Sequence, residues 1–518
     1  MTIITRRRRA PASNENRYEN APTLNTVRRP SSIISPPPGT LSASKKIPQA
    51  FSGSVQDFRE AWQGAFTSGE ALLANRPGPC YTAPMHAPRL VFLGLDGLPW
   101  SLARDLCDQG LLPNLARIAT SPHCRPIAAE LPELSPVNWT SMFTASGPGN
   151  HGIFGFTRMD PGSYALKFTD FTHVHGPTIF ERLAHRGLFC KVVNMPNLAP
   201  VRPMRAMLVA GFPATGLEGS VHPPALGGIL ADHDYTIEAD TLRGATDPAF
   251  LLAELHRTLA CREKALELMW PDMSWDLFFF VLTETDRLGH FLFPALTEPF
   301  HPWRTEALRF MAAWDGLIGR FLDRYEELPG PKRLIAMADH GFTTLVREVD
   351  LNVWLHELGL LRFSRPPAGE WDTDAIGPGT RAFALDPGRI YLHTRDRFAR
   401  GGLSEAEAGQ LAGELARALT GLTFEGRRVI RSVHPGRELY SGPRTHLAPD
   451  LVLVPEPGFD LKGKFGRRDV FGLFGRQGMH TADDVFFYDS MGGAPRTPAD
   501  VGRYILEHCG APSSALNE

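Results

Sequence analysis

Four stations along this 518-residue chain place an acid or an imidazole directly after an apolar run or inside a short motif. Asp96 closes Leu93-Gly94-Leu95-Asp96-Gly97. Thr285-Asp286-Arg287-Leu288-Gly289-His290 follows the run from Leu277 to Leu282. Asp339-His340-Gly341 follows Leu334 to Ala338, and His480 stands in Gly478-Met479-His480-Thr481. One such residue alone reads as a helix cap or a satisfied polar side chain. As a set, Asp-x3-His and Asp-His mix carboxylate and imidazole in the proportions that zinc and similar divalent ions prefer.

A fifth element carries hydroxyls. Glu133-Leu134-Ser135-Pro136 opens a stretch through Asn138, Thr140 and Thr144, and Pro148-Gly149-Asn150-His151-Gly152-Ile153 follows. Ser135 before Pro136 reads as the N-cap and first position of a helix. A hydroxyl there faces unpaired N–H groups that favour a phosphate, and an adjacent metal would turn it into a nucleophile. Thr140 and Thr144 compete for that role. They fall inside the helix, where a hydroxyl more often bonds back to the backbone. Ser135 is therefore the favoured nucleophile.

The elements that must position these residues follow from periodicity. Arg89 to Leu95 is a short apolar run typical of a buried parallel strand. Similar runs recur at Phe189–Met195, Trp275–Leu282, Arg333–Ala338 and Leu451–Pro455. Helical patterns at Pro99–Ile118, Pro248–Trp270 and Trp303–Glu327 separate them. The alternation predicts an α/β fold with a mostly parallel central sheet flanked by helices, whose strand ends gather the stations on one edge. Two stretches, about 155–250 and 362–448, interrupt it and read as insertions. The second holds a strand-like Arg389–His393 and a helix-like Ser404–Leu419.

Composition narrows the class. The chain has 43% hydrophobic and 21% charged residues, enough for a sizeable core, and a net charge of −2. That balance argues against a nucleic-acid polymer as partner. No apolar run reaches the ~18–20 residues that span a bilayer, so no membrane is expected. The six cysteines are scattered, which fits reduced thiols in a cytoplasmic protein. Residues 1–50 carry nine Lys/Arg and two acids, so a +7 head precedes a body of −9. The head, rich in Ser and Pro, reads as a disordered basic tail. Domain organisation is thus expected as residues 1–85, a tail ending in a lead-in helix over 54–75, then 86–510, an α/β domain with the two insertions.

In order and spacing these motifs resemble the alkaline phosphatase superfamily. The resemblance spans roughly residues 88–490 and is strongest to the type I phosphodiesterase/nucleotide pyrophosphatase branch. PGNHGIFGF, HVHGPTIFERLAHRG, GRIYLHT and LYSGPRTHLAPDLVLVP resemble a bacterial phosphohydrolase or phosphomutase subgroup in detail. It implies an alkaline-phosphatase-like fold and two divalent ions, zinc first, with manganese or iron as alternatives. One ion would be held by Asp286, His290 and His480. The other would be held by Asp96, Asp339 and His340, with Ser135 completing it. The implied reaction is hydrolysis of a small phosphodiester or nucleotide-like pyrophosphate through a covalent phospho-enzyme. A phosphomutase or phosphotransferase on the same site, or a catalytically silent binding protein, are the alternatives. A formylglycine sulfatase is disfavoured, because Ser135-Pro136-Val137-Asn138-Trp139 lacks the expected Arg.

The chain departs from the family at Phe156, where many members have an Asn that contacts the phosphoryl oxygen; Asn138 or backbone N–H groups are possible substitutes. His393 stands where the subgroup often has Asn. His173, His175, Arg287, Arg476, Asp483 and Asp484 are further polar residues near the motifs, with positioning or surface roles expected.

Overall fold

A computed structural model describes residues 89–512. The expected tail, its helix over 54–75 and Cys80 lie outside the described residues. An eight-stranded sheet forms the centre. In chain order its strands are β1 (Arg89–Leu95), β2 (Cys124–Ile127), β3 (Cys190–Met195), β4 (Ala206–Ala210), β5 (Val221–His222), β6 (Leu277–Leu282), β7 (Lys332–Met337) and β8 (Val485–Asp489). They lie side by side as β2-β8-β7-β1-β6-β3-β4-β5. The five from β7 to β4 run parallel, and antiparallel strands close both edges. This is a mostly parallel α/β architecture. Long helices at Pro248–Met269 and Arg304–Glu327 pack beside it.

The apolar runs explain the centre. β1 and β6 are buried on both faces, so neither shows the alternation of a half-exposed strand. Phe92 packs on Phe279 with ring centroids 5.1 Å apart and meets Trp139 edge-on at 6.3 Å. At Gly94 a Cβ would come within 2.8 Å of the Trp139 ring and 2.9 Å of Val281, so glycine makes room for the indole. The parallel register pairs Leu95 with Leu282 and Gly94 with Met337. The residues just beyond β1, β6 and β7 therefore emerge together at one edge, as expected where open α/β sheets bind ligands.

Three sequence expectations change. Leu451–Pro455 is not in the central sheet. It joins Ala382–Leu385, Arg389–Leu392 and Ile430–Pro435 in a separate four-stranded antiparallel sheet. A short apolar run looks alike in either setting, so periodicity could not separate them. Within the stretch read as an insertion over 155–250, β4 and β5 join the expected strand β3 in the central sheet. Flanking Pro and Gly hid β4. The helix expected over Pro99–Ile118 is two, Trp100–Asp108 and Ala116–Ala119, because Gly110 at φ +73° and Pro113 interrupt it. The four-stranded sheet and the helix Glu405–Thr420, opened by a Ser404/Glu407 capping box, share an apolar cluster that includes Leu361, Phe383, Leu411 and Leu461. Among the described residues no helix is long and apolar enough to cross a membrane. The five described cysteines are all buried and unpaired by disulfides.

Candidate active site

The turn after β1 presents Asp96, buried to 1% exposure. Its Oδ2 accepts a hydrogen bond from Trp139 Nε1 at 3.0 Å, and its backbone carbonyl accepts one from Thr285 Oγ1 at 2.6 Å. Gly97 follows at φ +66°, a left-handed geometry that suits glycine. Its N–H donates to Asp339 Oδ1 at 3.0 Å. The loops after β1, β6 and β7 are thereby tied to one another through the acids they carry.

After β6 the helix Glu284–Thr297 begins, with Asp286 in its first turn and His290 one turn on, on the same face. After β7 come Asp339 and His340, both fully buried. The strand Gly478–Thr481 pairs antiparallel with Gly341–Thr344 and brings His480 opposite Phe342. At Gly341 a Cβ would lie 2.3 Å from the Asp483 carbonyl, so the close approach of these strands needs glycine.

All six expected metal ligands meet. His480 Nε2 lies 3.1 Å from Asp286 Oδ1 and 3.1 Å from His290 Nε2. His290 Nε2 lies 3.5 Å from the same Asp286 oxygen. His340 Nε2 lies 3.3 Å from Asp339 Oδ2, 3.8 Å from Asp286 Oδ1 and 3.9 Å from Asp96 Oδ1. Two compact donor groups result, Asp286 with His340 and His480, and Asp96 with Asp339 and His340. His340 belongs to both groups, and its ring stacks on His480 at 3.6 Å.

The hydroxyl is close by. Ser135 is the first helical residue of Ser135–Thr144; Leu134, in extended conformation, is the cap, so the expected serine cap is displaced by one position. The Ser135 Oγ makes no cap bond. It lies 3.2 Å from His340 Nε2 and 3.5 Å from Asp96 Oδ1. Thr140 and Thr144 turn elsewhere. Thr140 Oγ1 accepts from Asn197 Nδ2 at 2.8 Å, and Thr144 Oγ1 donates back to the Thr140 carbonyl at 2.7 Å. Asn138 does not substitute at a phosphoryl position. Its amide accepts from Glu130 N–H at 2.7 Å and donates to the Leu134 carbonyl at 3.1 Å.

The electrostatics fit a cation-binding set. Burial pushes His340 down to about 4 and His290 well below its ordinary value; burial, aided by His340, lowers His480. All three imidazoles are neutral at pH 7, the form that ligates metal. His480 Nδ1 faces the Glu133 carbonyl at 2.9 Å and His340 Nδ1 the Gly341 carbonyl at 3.1 Å. A proton on each Nδ1 leaves the Nε2 lone pairs pointing at the acids. Burial, with Asp339 and Asp286 nearby, raises Asp96 well above the carboxylate range, and burial raises Asp339 to about 6. Burial opposes ionisation of Asp286 too, but His290, Arg287 and His480 outweigh it and hold that carboxyl well below its usual value. Asp339 Oδ2 is buried with no hydrogen-bond partner. An orphaned carboxylate oxygen facing a neutral imidazole suits a divalent ion.

Other expected residues sort themselves. Arg287 pairs with both Asp286 and Glu238, the latter at 2.9 Å, and lies over the Phe212 ring at 5.0 Å. Arg476 Nη1 lies 3.4 Å from His290 Nδ1. Phe156, in place of the family's Asn, packs edge-on against Phe212 at 5.7 Å. His393 is buried away from the acids, bonded to Tyr164 and the Thr380 carbonyl. His173 closes a capping box with Asp170, and the His175 N–H donates to the His151 carbonyl. Asp484 accepts from the Ser101 N–H at 3.0 Å and Asp483 pairs with Arg431. Sequence reasoning missed Trp139 and Gly97 as partners of the acids. Trp139 had a signal, since it stands four residues after Ser135 and so shares its helix face. The Asn197 contact to Thr140 had none.

A cleft of about 560 Å³ leads outward from Asp286, His290 and His480, past Arg287, Phe156 and Phe212. A smaller one of about 320 Å³ also borders Glu133 and His480 and is lined by Arg431 and Asp483.

The family model described as type I phosphodiesterase / nucleotide pyrophosphatase matches residues 90–483. No curated protein matches the chain in sequence. Among solved structures, phosphonoacetate hydrolase from Sinorhizobium meliloti, in complexes with phosphonoformate and with phosphonoacetate, is similar with a TM-score of 0.54 at 18% identity, over 82% of this chain and 96% of that one. Murine ectonucleotide pyrophosphatase/phosphodiesterase 5 aligns over 82% and 96% of the two chains at 13% identity and a TM-score of 0.47.

Proposed function

Because the chain belongs to the type I phosphodiesterase/nucleotide pyrophosphatase family, and so to the phosphoric ester hydrolases, we propose that it cleaves a small phosphodiester through a covalent intermediate on Ser135, with two divalent ions. The observation that carries this reading is the position of Ser135 Oγ, free of any cap bond and 3.2 Å from the imidazole shared by both donor groups. Asp286, His290 and His480 would hold one ion, and Asp96, Asp339 and His340 the other. Zinc suits this donor set best, with manganese or iron as alternatives. When bound, the pair supplies Lewis-acid charge that favours the serine alkoxide and offsets charge on the phosphoryl oxygens.

The chain's own residues do the rest. Trp139 fixes Asp96, and Gly97 fixes Asp339, so the acid on the Ser135 side cannot swing away. The carbonyls of Glu133 and Gly341 set the tautomers of His480 and His340. Ser135 Oγ attacks phosphorus as the P–O bond to the leaving group breaks; the hydroxyl's proton is released to solvent, and the displaced alkoxide takes one up from solvent to leave as the alcohol. Water then cleaves the Ser135 phosphoester and regenerates the hydroxyl. The experiment is turnover of bis-p-nitrophenyl phosphate against p-nitrophenyl phosphate by zinc- or manganese-supplemented protein. Diester turnover that Ser135→Ala and Asp339→Ala both abolish supports the reading. Unchanged turnover in Ser135→Ala removes Ser135 as nucleophile.

A further inference from the structure

The outer end of the large cleft is rimmed by four large apolar side chains that water reaches: Phe168, Leu242, Trp371 and Phe474, exposed by 62, 90, 50 and 49%. Among the described residues eight large hydrophobic side chains are this exposed, and four of them share one cleft. They come from four separate segments of the chain. Single exposed apolar residues are ordinary, but a convergent set beside polar residues marks a recognition surface.

Two of these rings are held by cations that line the same cleft. Lys464 Nζ lies 3.3 Å from the Trp371 ring centroid, and the Arg467 guanidinium 3.7 Å from that of Phe474. Phe168 leans on Trp371 with centroids 6.5 Å apart. A cation covers one face of each ring and fixes the ring in the cleft wall. The cations are themselves fixed. Lys464 pairs with Asp386 at 2.6 Å, Arg467 with Glu348 at 2.7 Å and Glu370 at 2.8 Å, and Lys462 with Asp460 at 2.6 Å. Asp350 stands 3.9 Å from Arg467 and is raised to about 7 by burial. Each of these three cations is thus already engaged by a carboxylate. Such a wall offers a second anionic group none of these cations free and suits a neutral one.

We propose that this rim is the subsite for the organic group of the ester, and that the group it takes is apolar and carries no negative charge of its own. The inference rests on the hydrolase reading, because the cleft is continuous with the Asp286, His290 and His480 cluster.

The test compares alkyl p-nitrophenyl phosphates with methyl and octyl groups. The octyl ester should exceed the methyl ester in kcat/KM by about tenfold or more, since each buried methylene adds to binding. In the Trp371→Ala/Phe474→Ala double variant the octyl-to-methyl ratio should fall towards one. Leu242→Glu, a change at a 90% exposed position, should lower it as well. Phe300→Ala, at an exposed apolar residue outside the cleft, should leave the ratio as in the parent. A wild-type ratio near one, or a ratio that survives in the double variant, overturns the proposal. Calorimetry of octyl phosphate against methyl phosphate on Ser135→Ala protein separates the rim from the chemistry. Rim-dependent preference for octyl phosphate without any ester turnover would sink the hydrolase reading and keep the subsite; turnover with equal binding of the two phosphates would do the reverse.

Discussion

Replacing Asp339 by asparagine should destroy activity and yet stabilise the chelated protein. The substitution keeps the carbonyl oxygen that accepts from Gly97 N–H at 3.0 Å, so the turn after β1 stays anchored. It removes one charge from a fully buried group of acids, where Asp339 lies beside Asp286 and Asp96. In the metal-free protein burial raises the Asp339 carboxyl from 3.8 to about 6. A carboxyl raised in the folded state weakens folding as pH climbs through that window. The penalty is absent below about 4 and complete above about 6. Two units correspond to roughly 3 kcal/mol, to order of magnitude. Urea unfolding of EDTA-treated protein at pH 5 and pH 8 checks this. Asp339→Asn should gain up to about 3 kcal/mol over wild type at pH 8 and distinctly less at pH 5. With metal restored the order should invert, because the variant has lost a charged ligand for the ion and with it the stabilisation that ion binding gives the folded state. Equal effects at both pH values, or wild-type turnover by the variant, would refute the assignment of Asp339 to a cation site.

Ser135→Ala should lower kcat by on the order of 10³ or more while changing stability by less than about 1 kcal/mol, since the hydroxyl caps nothing; steady-state kinetics and urea midpoints report the two. Thr140→Val should do the opposite, costing about 1–3 kcal/mol by leaving the buried Asn197 amide without its acceptor, with turnover kept; wild-type stability together with lost turnover would make Thr140 the nucleophile. Elemental analysis of the purified protein should give two divalent ions per chain. His480→Ala should lose the ion held with Asp286 while the Asp96 and Asp339 group keeps its own, so a variant with both ions retained, or none, would contradict the two-site division.

Much of this site was legible in the sequence because its logic is local. An apolar run that ends in Asp96, or in Asp339-His340, states both the strand and what stands beyond it. The parallel pairing of β1 with β6 and β7 does the remaining work, by placing three such ends side by side. What could not be read is what depends on distant partners. Ser135 looks like a cap until its helix is seen to start one residue earlier, with the hydroxyl turned to His340. Asn138 looks free to meet a phosphate until the Glu130–Leu134 turn claims its amide. The shared membership of His340 in both donor groups appears only when His480 is stacked on it. Leu451–Pro455 carries the composition of a central strand but is drawn into the other sheet by its antiparallel partner Ile430–Pro435.

That second sheet has a consequence for how the protein can change over generations. Leu361, Phe383, Leu411 and Leu461 belong to an apolar cluster of its own, and the strand Phe459–Lys462, which pairs with Arg347–Asp350, lends Asp460, Leu461 and Lys462 to the cleft wall. A substitution at Leu461 is absorbed among those side chains rather than at Asp96, Asp286 or Asp339. Effects at well-separated sites add with little coupling. Substrate range can therefore drift while the chemistry is inherited intact, and relatives sharing the strand-end acids need not share a substrate.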